Sequence, residues 1–267
     1  MSATETTRST STSTSTAPAD WSDDPYADAL RAGRGPLFLR RTDGWLLPLD
    51  VERWCARADA ADHSALHRCE GAVLDVGCGP GRLVAALAAR GRRALGIDVS
   101  EAAVERTLRL GGTALCRSVF DPLPGEGRWG TVLLVDGNIG IGGDPAGLLR
   151  RAGGLLTHGG LIIAETAPVD VDECVRVRVD DGRRPPPGAA GSHFPWARLG
   201  APALLRYGRA LGWLPVDQWE AAGRPFVALR RSTARVTRQS AEHANSAAVT
   251  SSQRARNPSD DRAAYGS

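Results

Sequence analysis

The sequence predicts an α/β fold in which helices cover both faces of a doubly wound, mostly parallel sheet. Short runs rich in Val, Leu and Ile alternate with amphipathic segments across residues 72–165, and this order is typical of that fold. Residues 131–135 are apolar throughout, as expected of a central parallel strand that is buried on both faces. Near the end of the chain, residues 216–220 and 225–230 flank Gly223 and predict an antiparallel hairpin.

Composition divides the 267 residues into a folded body and two tails. Residues 1–22 are mostly Ser, Thr and Ala, and residues 232–267 are polar with scattered Arg. Neither stretch can bury enough apolar surface to offset the entropy of ordering, so both are predicted to be disordered. Within the body, residues 23–70 are interpreted as a helical and hairpin cap segment. Residues 71–231 are interpreted as the main domain, which is long enough for one α/β core.

Local signals place the elements of the cap segment. The Asp-Gly pair in Thr42-Asp43-Gly44 favours a hairpin turn between the apolar runs at 37–39 and 45–47. Asp50 is a predicted N-cap, because its carboxylate can accept from the free amides of a helix start. The predicted helices of this segment cover residues 24–31, 51–54 and 58–68.

The main domain repeats a strand–helix unit. Ser100 and Asp144 are predicted N-caps, Pro145 fits the first position of a helix, and Gly91 is a predicted helix stop. The predicted strands cover residues 72–76, 94–98, 114–119, 131–135 and 161–164, with an extra strand at 175–179. The predicted helices cover residues 82–89, 101–108, 145–152 and 201–211, and residues 183–191 are predicted to form a loop.

Composition also excludes several kinds of chemistry. The chain contains no lysine, since all 33 basic residues are arginine. Phosphate-loop nucleotide hydrolysis, pyridoxal-phosphate catalysis and Schiff-base chemistry each need a lysine at the reacting centre. The five cysteines form no C-x-x-C pair, which argues against a zinc site, a disulfide framework and a three-cysteine radical cluster.

Charge and hydropathy favour a small-molecule partner and a cytoplasmic location. The net charge of +3 with 30 acidic residues describes a mixed surface, and part of the basic excess lies in the C-terminal tail, so nucleic acid is not the expected partner. No apolar run approaches the length of about eighteen residues that a membrane span needs. The first residues lack the basic and apolar regions of a secretory signal, so the cytoplasm is the expected location.

The strongest chemical signal is the turn Asp75-Val76-Gly77-Cys78-Gly79-Pro80-Gly81 after the first core strand. Open parallel sheets bind ligands beyond the carboxyl ends of their strands, and glycines there let the backbone approach the ligand. Gly77 and Gly79 fit the first two positions of the dinucleotide pattern G-x-G-x-x-G, but Arg82 occupies the third. The third glycine is Gly81, one residue early, and this spacing argues against a pyrophosphate ligand.

Asp98 extends this signal to the second strand. It lies twenty-one residues beyond Gly77, where a carboxylate can accept both hydroxyls of a ribose. The alternative is a cap or a solvated strand end. If Asp98 binds a ribose, Asp98→Ala should weaken cofactor binding and leave the fold intact.

Together these motifs resemble those of the class I S-adenosylmethionine-dependent methyltransferases. Leu74-Asp75-Val76-Gly77-Cys78-Gly79-Pro80-Gly81 is similar to the first motif of that family, and Gly96-Ile97-Asp98-Val99-Ser100 to its second-strand motif. His158-Gly159-Gly160-Leu161 is similar to the turn before its fifth strand. The resemblance covers about residues 72–165. It implies a Rossmann-like fold with a seven-stranded sheet and S-adenosylmethionine as the cofactor.

The resemblance also implies roles for single residues. Asp75 should anchor the turn or reach the methionine amino group through water. Asp98 should bind the ribose, and Val99 should lie against the adenine. Asp121 should hold the adenine amine with Phe120 beside it, the alternative being that Asp121 is a turn carboxylate. The full predicted cofactor-binding set is Asp75, Gly77, Cys78, Gly79, Gly81, Asp98, Val99, Phe120, Asp121 and Asp136.

Two residues are candidates for catalysis. Asp136 follows the fourth strand in Asp136-Gly137-Asn138-Ile139-Gly140, at the position where the family places the sulfonium and the incoming acceptor. It is predicted to line the site, with a general-base role as a second possibility. His193, between the fifth strand and the last helix, is the other candidate base, and its alternative is a loop histidine. A hydroxyl acceptor would benefit from such a base, although alignment and dehydration carry much of a methyl transfer.

Aromatic and histidine side chains complete the set of candidates. Trp45, Trp54 and Trp196 are candidate linings of an acceptor pocket, the alternative being packing in the core or hairpin. His63 and His67 are four residues apart on a predicted helix and could share one face. The sequence shows no third ligand for them, so a metal site is not predicted.

Three functions stay open at this point. The leading one is methyl transfer to an O or N atom of a small-molecule acceptor. The second is RNA or protein methylation with phosphate contacts from the arginine-containing tail, which is sparse and lacks interleaved aromatics. The third is a non-catalytic, S-adenosylmethionine-binding regulatory protein.

Overall fold

The computed structural model of the protein describes residues 24–183 and 192–231. Both predicted tails lie outside these residues, as does most of the predicted loop at 183–191. The helices in the described part are α1 (Asp24–Ala32), α2 (Val51–Cys55), α3 (Ala60–Arg68), α4 (Arg82–Ala88), α5 (Glu101–Arg109), α6 (Pro145–Leu155) and α7 (Ala201–Ala210), with a short 3₁₀ helix at Asn138–Gly140. The strands are β1 (Phe38–Arg41), β2 (Leu46–Pro48), β3 (Val73–Val76), β4 (Ala94–Asp98), β5 (Ala114–Cys116), β6 (Trp129–Leu134), β7 (Leu156–Glu165), β8 (Asp172–Asp180), β9 (Phe194–Leu199), β10 (Trp213–Ala221) and β11 (Arg224–Arg231).

The main sheet confirms the predicted fold class. It has seven strands in the order β10-β11-β7-β6-β3-β4-β5. The strands β5, β4, β3, β6 and β7 pair in parallel, whereas β11 pairs antiparallel with β7 and with β10. The central strand β6 is flanked by β3 and β7, and its apolar residues Val132, Leu133 and Leu134 are fully buried. The sheet therefore has the doubly wound form with a terminal hairpin that the alternating sequence predicts.

Capping side chains begin the helices where the sequence predicts. The carboxylate of Asp50 accepts from Arg53 N, the hydroxyl of Ser100 from Ala103 N, and the carboxylate of Asp144 from Gly147 N. The helix α3 begins with a reciprocal capping box between Asp59 and Asp62. These caps fix the helix ends that surround the carboxyl edge of the sheet.

A second, four-stranded sheet was not predicted as such. Its order is β2-β1-β8-β9, and all its pairs are antiparallel. The strand β9 escaped prediction because it is six residues long and contains Pro195, a residue that strands tolerate mainly at sheet edges. We call this sheet, together with α1 and α2, the cap. Its apolar interior includes Tyr26, Leu39 and Trp196, and it draws strands from both sides of residue 70.

Several predicted boundaries differ from the observed ones. The strand β5 ends at Cys116 instead of residue 119, and β7 begins at Leu156, five residues earlier than predicted. In α5, Leu108 is 52% exposed, because the buried face carries Ala103, Val104 and Thr107. In the described part of the chain, no helix is both long and apolar enough to cross a membrane.

Candidate functional site

A cavity of about 320 Å³ lies where the carboxyl ends of β3, β4 and β6 meet the cap. One part of its wall is the backbone of Gly77, Cys78 and Gly79 together with Asp98 and Val99. The segment after β5 contributes Arg117, Ser118, Val119 and Phe120. The cap contributes Tyr26, Leu49, Trp54, Phe194, Pro195 and Trp196. The cavity thus joins the carboxyl edge of the sheet, where open α/β folds bind ligands, to an aromatic wall from the cap.

The glycine turn needs glycine at specific positions. Gly77 and Gly81 have φ values of 67° and 87°, in the left-handed region that side chains disfavour. A Cβ on Gly77 would lie 2.7 Å from Asn138 Nδ2, which donates to the carbonyls of Val76 and Gly77. A Cβ on Gly81 would collide with the side chain of Thr107. Side chains of the 3₁₀ helix after β6 and of α5 therefore hold the turn from both sides.

Asp98 ties the turn to the end of β4. Its Oδ2 accepts from Gly79 N and its Oδ1 from Ser100 N, each at 2.9 Å. Burial raises the pKa of Asp98, although the amides of Ser100 and Gly79 oppose that effect. The carboxylate lines the cavity, as the predicted ribose role requires. Asp98→Ala would also remove both backbone contacts, whereas Asp98→Asn keeps one acceptor oxygen and so disturbs the turn less.

Beside the turn lies a group of paired charges that we call the arginine–carboxylate cluster. Arg82, at the start of α4, is 5% exposed and binds Asp62 Oδ2 at 2.8 Å and Asp136 Oδ2 at 2.7 Å. Arg224, on β11, binds Asp62 Oδ1 at 2.9 Å and Glu165 Oε2 at 2.7 Å. The cluster consists of Arg53, Arg82, Arg224, Asp62, Asp136 and Glu165. It connects α2, α3, α4 and β11 to the ends of β6 and β7.

Asp136 and Arg82 are the members of this cluster that line the cavity, and Asp136 is the predicted site residue of the two. Its carboxylate contacts three guanidinium groups: Arg53 at 2.7 Å, Arg82 at 2.7 Å and Arg224 at 3.3 Å. Its backbone has a φ of 60°, and its amide donates to Glu165 Oε2 at 2.8 Å. Burial by itself would raise the pKa of Asp136, but Arg82, Arg53 and Arg224 outweigh it and hold that pKa below its usual value. A carboxylate held in this way favours a positioning role over proton abstraction.

Asp75 lies on β3, just before the glycines of the turn. It is 2% exposed, and its Oδ2 has no hydrogen-bond partner among the described residues. Burial raises its pKa to about 7, against the opposing charge of Arg82. Asp75 does not line the cavity, so its position fits an anchor of the turn better than a direct ligand.

The remaining predicted cofactor residues divide into two groups. Cys78, Val99 and Phe120 line the cavity with Gly77, Gly79, Asp98 and Asp136. Gly81 and Asp121 do not. The Asp121 carboxylate accepts from Ser118 N at 3.3 Å, which matches the alternative of a turn carboxylate.

Of the other predicted side chains, some line the cavity and others do not. Trp54 and Trp196 line the cavity, whereas Trp45 is 41% exposed and lies between the guanidinium groups of Arg41 and Arg198. His193 is not on the cavity wall, and its carbonyl accepts from Arg176. The rings of His63 and His67 stack with centroids 6.4 Å apart, and the described residues contain no group of three metal-ligating side chains.

Sequence reasoning missed several residues of the wall. The sequence marked Arg82 only as the residue that breaks the dinucleotide spacing, although its side chain is buried between two carboxylates. Tyr26, Asn138 and Phe194 were not singled out, yet they line the cavity. A buried arginine needs carboxylate partners, but nothing in the sequence shows which of 30 acidic residues supply them.

One segment of the chain is similar to a known protein family. Residues 73–160 match a family model described as a methyltransferase domain, and this segment holds the glycine turn, Asp98 and Asp136. Residues 73–160, about one third of the chain, therefore contain a methyltransferase domain. A sequence comparison with curated proteins gives no match.

Solved structures agree with this fold. The chain aligns with an S-adenosylmethionine-dependent methyltransferase from Bacteroides fragilis, crystallised in complex with S-adenosyl-L-homocysteine, at a TM-score of 0.63 and 20% identity. That alignment covers 77% of this chain and 94% of the other. The glycopeptide N-methyltransferase MtfA, also complexed with S-adenosylhomocysteine, aligns at a TM-score of 0.50 and 17% identity over 66% of this chain and 91% of MtfA.

Proposed function

We propose that the protein transfers a methyl group from S-adenosylmethionine to an O or N atom of a small-molecule acceptor. The observation that carries this proposal is the cavity that joins the glycine turn and Asp98 to an aromatic wall. One ligand can lie along the turn while a second reaches it from the cap. A chain that only bound the cofactor would have no need of this second wall.

The turn and its neighbours fit the cofactor. The Asp98 carboxylate faces the cavity and has lone pairs left for ribose hydroxyls after it accepts from two amides. The backbone of Gly77 and Gly79 fits the methionine part, because glycine leaves room there for close approach. Val99 and Phe120 fit the adenine as apolar neighbours. The adenine role of Asp121 stays a prediction.

The protein's part in the reaction is alignment and exclusion of water. S-adenosylmethionine supplies an activated methyl group on its sulfonium when bound. Tyr26 and Trp54 of the cap, whose ring centroids lie 6.5 Å apart, close part of the cavity over the turn. Asp136 and Arg82 fix the charges at the end of β6 and hold the turn against α3. Positioning of this kind can lower the barrier of a methyl transfer without covalent catalysis.

A small acceptor fits this cavity better than a polymer does. The wall that the cap adds is aromatic and apolar, whereas nucleic-acid sites are rich in unpaired basic side chains. All five cysteines are free. Free thiols suit a reducing compartment, and a cytoplasmic location is part of the proposal.

Calorimetry with the full chain tests the cofactor. We expect S-adenosylmethionine and S-adenosylhomocysteine to bind and NADH to bind far more weakly. Asp98→Asn should weaken cofactor binding about tenfold, the effect of one lost charged hydrogen bond. The matched control is Asp144→Asn, which changes a cap on α6 away from the cavity and should leave the affinity unchanged. Tight NADH binding, or equal affinities for both variants, contradicts the assignment.

Transfer of a labelled methyl group tests the reaction. The full chain is incubated with radiolabelled S-adenosylmethionine and separate metabolite, RNA and protein fractions of a cell extract. We expect label in the metabolite fraction. Label confined to RNA or protein would favour polymer methylation, and cofactor binding without transfer to any fraction would favour a regulatory protein.

A further inference from the structure

The cap side of the cavity is a surface for a flat ring. Tyr26 and Trp54 meet edge to face at 72°, and Phe194 and Trp196 do so at 84°. Trp196 packs so closely on the segment after β6 that a Cβ at Gly140 would lie 2.8 Å from its indole. Aromatic rings arranged in this way prefer to stack or meet edge-on with another ring.

Both carboxylates on the cavity wall already have partners. Asp136 is paired with three guanidinium groups and Arg82 with two carboxylates. Asp98 accepts from two backbone amides. Arg117 is the cavity-lining ion without a carboxylate partner among the described residues, and it is exposed to solvent. A protonated alkylamine would therefore meet no unpaired carboxylate on this wall, and desolvation of its charge would oppose binding.

The titratable groups on the wall are poorly placed to take a proton from a hydroxyl. Burial raises the pKa of both Tyr26 and Cys78, so each stays protonated at neutral pH. The two carboxylates, Asp98 and Asp136, hold the hydrogen bonds just described. His193, the remaining candidate base, does not line the cavity. An acceptor atom that must lose its proton before it attacks gains little from this site.

We infer that the acceptor is an uncharged, planar aromatic compound and that its methylated atom is a neutral nitrogen with a free lone pair. This inference rests on the proposed function and narrows it from O or N to one class. The nitrogen lone pair forms the new N–C bond while the C–S bond breaks, and the electron pair of that bond stays on sulfur. The positive charge passes from sulfur to nitrogen, which then loses a proton to water. No group of the protein has to remove a proton before the attack.

Four indoles that differ in one substituent test the class. They are 5-aminoindole, 5-hydroxyindole, 5-(aminomethyl)indole and indole-5-carboxylate, used at about pH 8, where the first two are neutral, the third is cationic and the fourth anionic. Calorimetry with the full chain saturated with S-adenosylhomocysteine measures binding without turnover. We expect 5-aminoindole to bind at least about tenfold more tightly than either charged indole. In assays with labelled S-adenosylmethionine, it should be methylated at least about tenfold faster than 5-hydroxyindole.

A pair of tryptophan variants locates the binding wall. Trp196→Leu should weaken binding of 5-aminoindole about tenfold, whereas Trp45→Leu should change it less than twofold, because Trp45 comes just before β2 of the same sheet and lies off the cavity wall. Trp54→Leu repeats the test on a half-buried residue if Trp196→Leu does not fold.

Several results overturn the inference. They are tighter binding of a charged indole, faster transfer to the hydroxyl, transfer to none of the four indoles, and equal effects of the Trp196 and Trp45 substitutions. Tightest binding of the carboxylate would indicate that Arg117 selects an anionic acceptor instead. If S-adenosylmethionine itself fails to bind, the proposed function fails and the inference fails with it. If the cofactor binds and the hydroxyl is methylated faster, only the inference fails.

Discussion

Arg82→Met tests whether the arginine–carboxylate cluster holds the glycine turn in place. The Arg82 side chain is 3% exposed, and its partners Asp62 and Asp136 are 0% and 13% exposed. Removal of one partner from a buried ion pair typically costs about 3–5 kcal/mol, because the remaining charge stays buried. Arg224 still contacts both carboxylates at 2.9 and 3.3 Å. We therefore expect the lower end of that range, a loss of about 3 kcal/mol in the free energy of unfolding.

The loss should depend on pH in a defined direction. Burial alone would raise the pKa of Asp62, but the hydrogen bonds from Arg82 and Arg224 lower it from 3.8 to about 2. A depressed carboxyl pKa stabilises the fold above the unfolded-state value, and this contribution is lost as the pH falls toward the folded-state value. Without Arg82 the pKa of Asp62 rises and that stabilisation shrinks. The deficit of the variant should therefore be full above about pH 5 and smaller near pH 3.

Urea unfolding followed by circular dichroism at both ends of this pH range measures the deficit. Arg109→Met is the matched control, since Arg109 is 64% exposed and pairs with Glu105 at 3.8 Å along one helix. It should change the free energy of unfolding by less than about 0.5 kcal/mol. A deficit below about 1 kcal/mol for Arg82→Met, or one that is equal at both pH values, would refute the electrostatic account of the cluster.

Three further substitutions probe the same region. Asp75→Asn should raise the free energy of unfolding by up to about 4 kcal/mol more at pH 8 than at pH 4, because folding raises the pKa of this buried carboxyl from 3.8 to about 7. The wild-type carboxylate therefore destabilises the fold as the pH rises between these two values. Urea titration measures the difference, and an effect that does not depend on pH would contradict this reasoning. Gly81→Ala should lower the free energy of unfolding by about 2–4 kcal/mol, because φ is 87° and the new methyl group meets Thr107. Gly91→Ala, at a φ of 66° with open space around it, should lower it by about 1 kcal/mol. Similar melting temperatures for the two variants would show that the Thr107 side chain moves aside. Arg53→Met should lower the free energy of unfolding by only about 1 kcal/mol, because the Arg53 side chain is 25% exposed. A loss as large as that of Arg82→Met would show that burial does not set the strength of these ion pairs.

The sheet could be predicted because its signals are local. Ser100 and Asp144 carry their own capping groups, and the apolar run of β6 needs no knowledge of distant residues. The same holds for the glycine turn and Asp98, whose spacing follows from consecutive strands of a parallel sheet. This part of the site was therefore visible in the sequence.

The helices and the β1–β2 hairpin of the cap could be predicted, but the four-stranded sheet could not, because its other pairings are long-range. β1 pairs with β8 across about 140 residues, with Leu39 opposite Val179, and neither strand signals its partner. The strand β8 reads as an isolated alternating run, and β9 is interrupted by a proline. Periodicity predicts that a segment is a strand, but pairing depends on which edges the rest of the fold brings together. The candidate general base His193 belongs to this region, and its placement off the cavity wall could not be anticipated for the same reason.

Arg82 links the choice of cofactor to the chemistry of the acceptor. A glycine at this position would complete the dinucleotide pattern, whereas arginine places a buried cation at the start of α4. That cation requires carboxylates, and Asp62 and Asp136 supply them from α3 and the end of β6. Asp136 is thereby committed to arginine on the side that faces the cavity, which leaves it unsuited to remove a proton from an acceptor. Arg82, which breaks the dinucleotide spacing, thus also favours the proposed acceptor, a neutral nitrogen that can attack without first losing a proton.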